Sequence, residues 1–288
     1  MRNRLPEWLR NHSPLHAATN PVREVLGDLK LHTVCRSAQC PNRGQCYAEG
    51  SAAFMILGDV CTRSCRFCAV AKGPAQAVDP GEPERIIEAC RRLGLAHAVI
   101  TSVTRDDLPD GGAAQFAAVV RRLKAELPAM TVEVLTPDFG GVSESLQTVV
   151  AAKPDIFNHN LETVPRLYSI VRPQADYRRS LTVLDQARQL DPALPTKSGL
   201  MVGLGERPEE VEQVLDDLLD VGCAILTIGQ YLQPTRTHLP VSEYIPPSQF
   251  KAWEERAYAK GFRYVAAGPL VRSSFHAADF WKADRRKS

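Results

Sequence analysis

The stretch AAFMILGDVCTRSCRFC, residues 52–68, joins an apolar run to a loop that carries three cysteines. The run from 52 to 60 has the length and composition of a buried β-strand. Cys61, Cys65 and Cys68 follow it directly, with the spacing Cys-x3-Cys-x2-Cys. Because α/β folds place their ligand sites at the carboxyl ends of parallel strands, we predict a metal-binding loop at the edge of a sheet.

The alternation of short apolar runs with amphipathic segments continues beyond this loop. We predict strands at 52–60, 97–103, 131–137, 155–162, 196–205 and 224–232, and helices near 82–94, 112–127, 143–152, 178–190, 208–220 and 248–260. Repeated strand–helix units form a parallel sheet covered by helices. Six units are too few to close an eight-stranded barrel. The predicted fold is therefore α/β, a partial (β/α)6 TIM-like barrel with N-terminal and C-terminal extensions.

The chain divides into three predicted segments. Residues 1–50 form an N-terminal arm without a clear strand, residues 51–260 form the barrel, and residues 261–288 form a C-terminal extension. The arm carries three of the clustered cysteines. The extension begins with the apolar run FRYVAAGPLV, and we expect it to return to the mouth of the barrel.

The charge balance excludes some classes of partner. The 288 residues contain 35 basic and 33 acidic side chains, a net charge of +2. Duplex binding needs a concentrated basic face, so nucleic acid is not expected as the main partner. No stretch has the roughly 18 apolar residues of a membrane span, and the N-terminus lacks the apolar core of a signal peptide. We expect a cytoplasmic protein with no membrane partner.

Six of the eight cysteines fall between residues 35 and 68. Thiols crowded in this way in a reducing compartment indicate a metal site rather than disulfides. Cys90 and Cys223 lie in apolar helical and strand contexts, and we interpret both as small core residues.

The cysteine loop, residues 61–68, supplies three thiolates at unequal spacing. Structural zinc usually has four protein ligands in two close pairs, so this spacing suits zinc poorly. A [4Fe-4S] cluster can use three thiolates and leave one iron open. A structural metal site completed by a distant Cys or His is the alternative.

The arm cysteines, Cys35, Cys40 and Cys46, have the spacing Cys-x4-Cys-x5-Cys. This spacing alone is less specific, and zinc or a structural [4Fe-4S] cluster with a remote ligand remain alternatives. Two sites of three cysteines each imply that both have a fourth partner that is not cysteine.

The cysteine loop at the end of the first barrel strand resembles the signature of the radical S-adenosylmethionine (SAM) enzymes. With the arm cysteines added, the chain is similar to the lipoyl synthase family. Further segments carry the same resemblance: VITSVTRDDLPDGGA at 99–113, FNHNLETVPRLY at 157–168, VRPQADYRRSL at 171–181, KSGLMVGLGE at 197–206, GQYLQPTRTHLPV at 229–241 and GPLVRSSFHA at 268–277.

The resemblance implies a sulfurtransferase that inserts two sulfur atoms at C6 and C8 of a protein-bound octanoyl-lysine. It implies two [4Fe-4S] clusters. The one on Cys61, Cys65 and Cys68 cleaves SAM to a 5'-deoxyadenosyl radical, and the auxiliary one on the arm cysteines gives up its sulfur. It also implies that Ser274 completes the auxiliary cluster. Serine oxygen is a hard ligand where thiolate is favoured, so the iron on Ser274 should be the most labile.

The resemblance also indicates SAM contacts and partners. Thr101 and Ser102 follow the second predicted strand and Asn160 and Glu162 the fourth, where the superfamily contacts the amino and ribose groups; Arg172 is a candidate for the carboxylate or the substrate carbonyl. The partners implied are an octanoylated lipoyl carrier domain or protein, an electron donor such as ferredoxin or flavodoxin, and an iron–sulfur carrier for cluster repair.

Two other functions are weighed against this one. A sulfur-inserting paralogue similar to biotin synthase would share the radical chemistry but not the octanoyl product. A metal-stabilised binding module for RNA would need a basic aromatic surface, and the seven Tyr, nine Phe and three Trp form no such cluster in the sequence.

Overall fold

A computed structural model describes residues 5–10, 20–48 and 52–274 of the chain. The strands are β1 His32–Thr33, β2 Ala53–Ile56, β3 Val60–Cys61, β4 Ala71–Lys72, β5 His97–Ser102, β6 Thr131–Leu135, β7 Ile156–Asn158, β8 Thr196–Val202, β9 Ile225–Gln230 and β10 Tyr264–Gly268. The helices are α1 Asn20–Asp28, α2 Val34–Ser37, α3 Arg43–Ala48, α4 Glu82–Leu93, α5 Ala113–Glu126, α6 Ser143–Val150, α7 Tyr168–Val171, α8 Tyr177–Leu190, α9 Pro208–Asp220 and α10 Pro247–Lys260. Within the described ranges, short 3-10 turns lie at Glu7–Leu9, Phe139–Gly141 and Pro165–Leu167.

The main sheet is an open barrel wall in the order β1-β2-β5-β6-β7-β8-β9-β10. All neighbours are parallel except β1 and β2, which are antiparallel. The six units β2-α4, β5-α5, β6-α6, β7-α8, β8-α9 and β9-α10 confirm the predicted (β/α)6 fold. They bring the carboxyl ends of the strands to one mouth, as parallel strands require.

The sheet is wider than predicted, and its strands are shorter. The apolar run after residue 261 forms β10, which pairs along its whole length with β9. The arm contributes the two-residue β1, which is too short to show a periodic pattern. The predicted strands at 131–137 and 155–162 end at Leu135 and Asn158, because the polar residues that follow turn into the mouth. The proposed boundaries at residues 50 and 260 stay predictions.

Local signals set several helix ends. The side chain of Asp176 accepts a hydrogen bond from the Arg179 N–H at the start of α8, a standard N-cap. The helices α4 and α10 stop at Gly94 and Gly261, whose φ angles are 59° and 119°. Such left-handed positions favour glycine, so each helix ends where the sequence supplies one.

The core lies between the outer helices and the sheet. Ile86 and Ile87 of α4 and Phe116 of α5 are fully buried in it. Cys90 and Cys223 are also buried, which confirms them as core residues. Burial raises the pKa of each of these two thiols to about 12. They are therefore neutral packing groups.

A buried ion pair crosses the barrel interior below the mouth. Lys197 Nζ on β8 lies 2.9 Å and 3.0 Å from the two carboxylate oxygens of Glu133 on β6. Asn158 Nδ2 donates to the same carboxylate at 2.9 Å. Glu133 is fully buried and Lys197 is 3% exposed. Each of the two side chains therefore gives the other a counter-charge inside the barrel.

No helix within the described ranges combines the length and apolarity needed to cross a membrane.

We predict that Glu133→Gln lowers the free energy of unfolding by about 3–5 kcal/mol, because it leaves the Lys197 ammonium buried without a counter-charge. Urea unfolding measures the change. The control is Glu255→Gln on α10, whose carboxylate is 69% exposed and lies 3.8 Å from Lys251 Nζ; it should cost less than about 0.5 kcal/mol. Equal losses in the two variants would contradict the role of the buried pair.

Candidate active site

A cavity of about 450 Å³ opens at the carboxyl ends of the strands. Eleven of the twelve residues predicted for the site line it: Cys35, Cys40, Cys61, Cys65, Cys68, Thr101, Ser102, Asn160, Glu162, Arg172 and Ser274. Among the described residues, the twelfth, Cys46 on α3, does not line the cavity. The fold thus brings together residues that lie up to 239 positions apart in the sequence, from Cys35 to Ser274.

The cysteine loop is held by the guanidinium of Arg63, which is 6% exposed. Its Nε and Nη2 donate to the two oxygens of Asp106 at 2.7 Å and 2.8 Å, and Nη2 also donates to Asp138 Oδ1 at 2.7 Å. Asp106 follows β5 and Asp138 follows β6. A single side chain therefore ties the loop after β2 to the ends of the next two strands.

Backbone contacts fix the loop further. Thr62 N–H and Oγ1–H both donate to Thr104 O, at 3.1 Å and 3.0 Å. Thr104 N–H donates to Cys61 Sγ at 3.3 Å. On the opposite side, Arg66 N–H donates to Val171 O at 2.8 Å. The loop is thus anchored on both flanks before any ligand binds.

Two opposing effects set the ionisation of Arg63 and Asp138. Burial lowers the pKa of Arg63, but the hydrogen bonds to the two carboxylates raise it by a larger amount, so the net shift is upward. Burial raises the pKa of Asp138, but the hydrogen bond and charge of Arg63 outweigh it and leave that pKa at about 2. Both side chains are charged at neutral pH.

The arm places Cys35 and Cys40 at the mouth through two short helices. Thr33 caps α2, accepting from Arg36 N–H at 3.3 Å, and its hydroxyl shares a 2.7 Å hydrogen bond with Tyr47 Oη. Cys35 lies on α2 and is buried, while Cys40 lies between α2 and α3. The arm therefore presents two of its thiols to the same cavity as the cysteine loop.

The C-terminal segment, residues 269–274, crosses the mouth after β10. Val271, Arg272, Ser273 and Ser274 line the cavity, as expected for a chain end that returns there. Asn160 Nδ2 donates to Ser273 Oγ at 2.8 Å.

Burial affects the thiols that face the cavity. It raises the pKa of Cys35 to about 11 and that of Cys68 to about 12. Burial also raises the pKa of Cys65, against an opposing effect from the Arg172 charge. Such thiols become thiolates when a metal replaces their protons, so cation binding here should release protons.

The donor set fits an iron–sulfur cluster. Within the described ranges, no three His, Cys, Asp or Glu side chains are close enough to hold a single metal ion. In a cubane, each thiolate binds a different iron, so the ligands stand around a space instead of meeting at a point. Cys61, Cys65 and Cys68 line such a space, at a cavity large enough to hold a cluster and a small molecule.

Buried polar atoms without partners mark the rest of the cavity wall. Among the described residues, Ser102 Oγ, Thr136 Oγ1, His159 Nε2, Asn160 Oδ1 and Arg172 Nε are buried without a hydrogen bond, and all five residues line the cavity. Most buried polar atoms in proteins are paired. Their concentration here fits a polar ligand such as SAM, whose amino, carboxylate and hydroxyl groups could complete them.

The predicted SAM residues differ in how free their polar groups are. Thr101 Oγ1 already donates to Leu135 O at 2.9 Å. Arg172 Nη1 donates to the carbonyls of Asn160 and Leu161 at 2.9 Å and 3.1 Å. Arg172 thus supports the loop after β7, and its Nε remains for a ligand. Burial raises the pKa of Glu162, with the Arg172 charge opposing it.

Some site residues were not assigned from the sequence. His159 lines the cavity, and burial lowers its pKa to about 4, with the Arg172 charge acting in the same direction, so the ring is neutral. Arg272 also lines the cavity, and burial lowers its pKa. The available signals were the position of His159 at a strand end and the place of Arg272 beside the two serines.

Comparisons with known proteins agree with this site. A family model described as the radical SAM superfamily matches residues 55–218, and one described as the N-terminal domain of lipoyl synthase matches residues 1–40. Lipoyl synthase of Caldanaerobacter subterraneus subsp. tengcongensis is 58% identical over 277 residues, covering 96% of this chain and 97% of that protein. Lipoyl synthase of Rubrobacter xylanophilus is 52% identical, covering 99% and 89%.

Among solved structures, Streptococcus suis SuiB bound to S-adenosylmethionine matches with a TM-score of 0.55 at 11% sequence identity. The match covers 78% of this chain and 53% of SuiB. At this identity, the likeness concerns the barrel fold.

We predict that Asp138→Asn lowers the free energy of unfolding by about 2 kcal/mol at pH 7, since a pKa held at about 2 instead of 3.8 corresponds to roughly that energy. Urea unfolding at several pH values measures it. The pKa of Asp138 is lower in the folded than in the unfolded state. The difference in free energy of unfolding between the native chain and the variant is therefore largest above pH 3.8, and it disappears as the pH falls through about 2. Asp106→Asn is the control, since its side chain is 41% exposed and should contribute less. A larger loss at Asp106 would contradict the anchoring role of Asp138.

Proposed function

The chain belongs to the lipoyl synthase family of the radical SAM superfamily, and on this premise we propose that it inserts sulfur at C6 and C8 of a protein-bound octanoyl-lysine. The observation that carries the proposal is a single cavity lined by thiols from both cysteine groups. Radical formation and sulfur donation then take place in one shared cavity, which suits an alkyl chain that must meet both.

The chain's own residues have separable roles in this reaction. When bound, the cofactors supply a radical that abstracts hydrogen and a cluster that supplies sulfur. Cys61, Cys65 and Cys68 hold the first [4Fe-4S] cluster, and the anchoring by Arg63 fixes their loop. Cys35, Cys40 and Cys46 hold the auxiliary cluster against the same cavity. The protein supplies position and a water-excluding wall.

Ser274 is the proposed fourth ligand of the auxiliary cluster. The other serine, Ser273, already accepts a hydrogen bond from Asn160. Ser274 also lines the cavity. The contact between Ser273 and Asn160 supports Ser274 as the ligand, because it gives Ser273 a different role. Serine oxygen is a hard ligand, so the iron that it binds is the one most easily lost from the cluster, which suits a sacrificial sulfur donor.

The proposed SAM pocket lies between the second and fourth barrel units. Ser102 Oγ, Asn160 Oδ1 and Arg172 Nε offer two acceptors and one charged donor that have no partners among the described residues. Glu162 is held with a φ of 67° at the end of β7, where its backbone bridges to Leu200 of β8. A backbone held in this conformation at a cavity wall is typical of a functional site, which supports Glu162 as a ligand contact.

Apolar side chains complete the cavity and suit the octanoyl chain. The apolar lining comes from several strand ends: Met55, Val103, Leu135, Leu200, Met201 and Tyr231. Each buried methylene contributes about 0.8 kcal/mol, so a straight eight-carbon chain gains several kcal/mol here. The partners proposed are an octanoylated carrier domain, ferredoxin or flavodoxin as electron donor, and an iron–sulfur carrier that rebuilds the auxiliary cluster.

We predict that the anaerobically reconstituted chain contains two [4Fe-4S] clusters, about eight irons, and converts an octanoyl-lysine peptide to the dithiolated product with SAM and a reductant. Iron analysis and mass spectrometry measure the two quantities. Four irons or bound zinc would contradict the proposal. Abundant 5'-deoxyadenosine without dithiolated product would favour a different sulfur-inserting radical enzyme, such as one similar to biotin synthase.

We predict that Ser274→Ala lowers dithiolated product by about tenfold or more, while SAM cleavage at the first cluster persists, because the change removes only the auxiliary iron ligand. Product and 5'-deoxyadenosine are measured in the same reaction. Ser242→Ala, an exposed serine outside the cavity, is the control and should behave as the native chain. Loss of SAM cleavage with an intact auxiliary cluster would show that the ligand assignment is wrong.

A further inference from the structure

The C-terminal segment is held across the mouth by two buried amides. Asn42, between Cys40 and Cys46, donates from Nδ2 to Leu270 O at 2.6 Å. Asn160, after β7, donates from Nδ2 to Ser273 Oγ at 2.8 Å. Asn42 is 2% exposed and Asn160 is 8% exposed. One amide comes from the arm and the other from the proposed SAM pocket, so the segment joins the two sites.

Two glycines let the segment lie this close to the barrel. A Cβ at Gly229 of β9 would stand 2.1 Å from Val271 O, a backbone atom that cannot move aside without displacing the segment. A Cβ at Gly199 of β8 would stand 2.9 Å from Asn160 Oδ1 and 3.2 Å from Ser273 Oγ. The segment is therefore seated directly on the strands, at the position of the Asn160–Ser273 contact.

The amide of Asn160 faces both sites at once. Its Nδ2 donates to Ser273 and, at 3.1 Å, to Glu162 Oε1. Its Oδ1 is buried, lines the cavity and has no hydrogen-bond partner within the described residues. A buried carbonyl oxygen without a partner is costly, so a ligand that donates to Oδ1 is favoured. An amide is planar, and fixing its oxygen therefore also fixes the direction of its nitrogen.

We propose that Asn160 and Ser273 are positioning residues that couple SAM binding to the seating of Ser274. An ammonium or hydroxyl donor of SAM on Asn160 Oδ1 holds Nδ2 towards Ser273. Ser273 in turn holds the adjacent Ser274 at the auxiliary cluster. This inference rests on the proposed function, and it adds that the two cofactor sites are energetically linked.

The effect of SAM binding on the seating of the segment equals the effect of that seating on SAM binding. If bound SAM favours the seated segment by some factor, the seated segment favours SAM binding by the same factor. The auxiliary cluster is then fully ligated when SAM is in place. Without SAM, the serine-bound iron is released more readily, because nothing on Oδ1 keeps the amide of Asn160 turned towards Ser273.

Hydrogen exchange of the reconstituted holoprotein tests the coupling without relying on activity. SAM is added without reductant, so it binds and is not cleaved. We expect SAM to slow amide exchange in peptides that span residues 269–274 and to slow iron release from the auxiliary cluster to a chelator, each by about fivefold or more. Unchanged exchange and iron release on SAM binding would overturn the proposal.

Ser273→Ala removes the acceptor and leaves both predicted ligand sets intact. We expect the segment in this variant to exchange faster and to lose its response to SAM, and we expect the variant to bind SAM more weakly. Ser273→Thr keeps the hydroxyl and should restore the response. Ser242→Ala is the matched control and should respond as the native chain. A Ser273→Ala variant that still responds fully to SAM would contradict the coupling.

The failure of this inference is distinguishable from the failure of the proposed function. If the chain carries about eight irons and forms dithiolated product, but SAM leaves residues 269–274 unprotected, the function stands and the coupling is wrong. If the two clusters do not form on the six cysteines, the proposed function itself fails.

Discussion

The arginine fork of Arg63 is the contact on which the arrangement of the site depends. Its guanidinium binds Asp106 and Asp138 at the ends of two neighbouring strand units, and Asp138 is fully buried with its carboxylate ionised. The cysteine loop is short and irregular, and the ladder at its base, between β3 and β4, pairs two residues of each strand. A charge-assisted fork across two strand ends supplies that rigidity. Cys61, Cys65 and Cys68 therefore face the cavity in a fixed arrangement.

The chemistry of the cavity follows from burial. Thiols away from water keep their protons, and the raised pKa values of Cys35 and Cys68 reflect this. Metal binding reverses the preference, because iron replaces the protons and removes the cost of an isolated anion. The same burial leaves Ser102, Asn160 and Arg172 with polar atoms that have no partner among the described residues and that a polar ligand can satisfy. Each unpaired polar atom in the cavity wall therefore costs free energy, and a ligand that forms a hydrogen bond with it removes that cost.

The barrel is completed from both ends of the chain. The arm adds β1 to one edge of the sheet and β10 adds to the other, so each extension enters the mouth from its own side. Asn42 joins the two extensions directly, with 228 positions between it and Leu270. An open barrel leaves room for a large substrate, whereas a closed one fills its interior with side chains. The extensions narrow this opening and bring the second set of cysteines to it.

Much of this protein follows from the sequence alone, since it depends on local patterns. Cysteine spacing predicted two metal-binding groups, and hydrophobic periodicity indicated six strand–helix units. Segment resemblance gave the family. The strand β10 and the short β1 were missed, because their pairing depends on partners elsewhere in the chain. Tertiary structure alone decided that Arg63 spans two aspartates, that Asn160 holds Ser273 instead of Ser274, and that His159 and Arg272 join the wall. These are contacts between side chains far apart in sequence, and no local pattern records which loops meet at the mouth of a barrel.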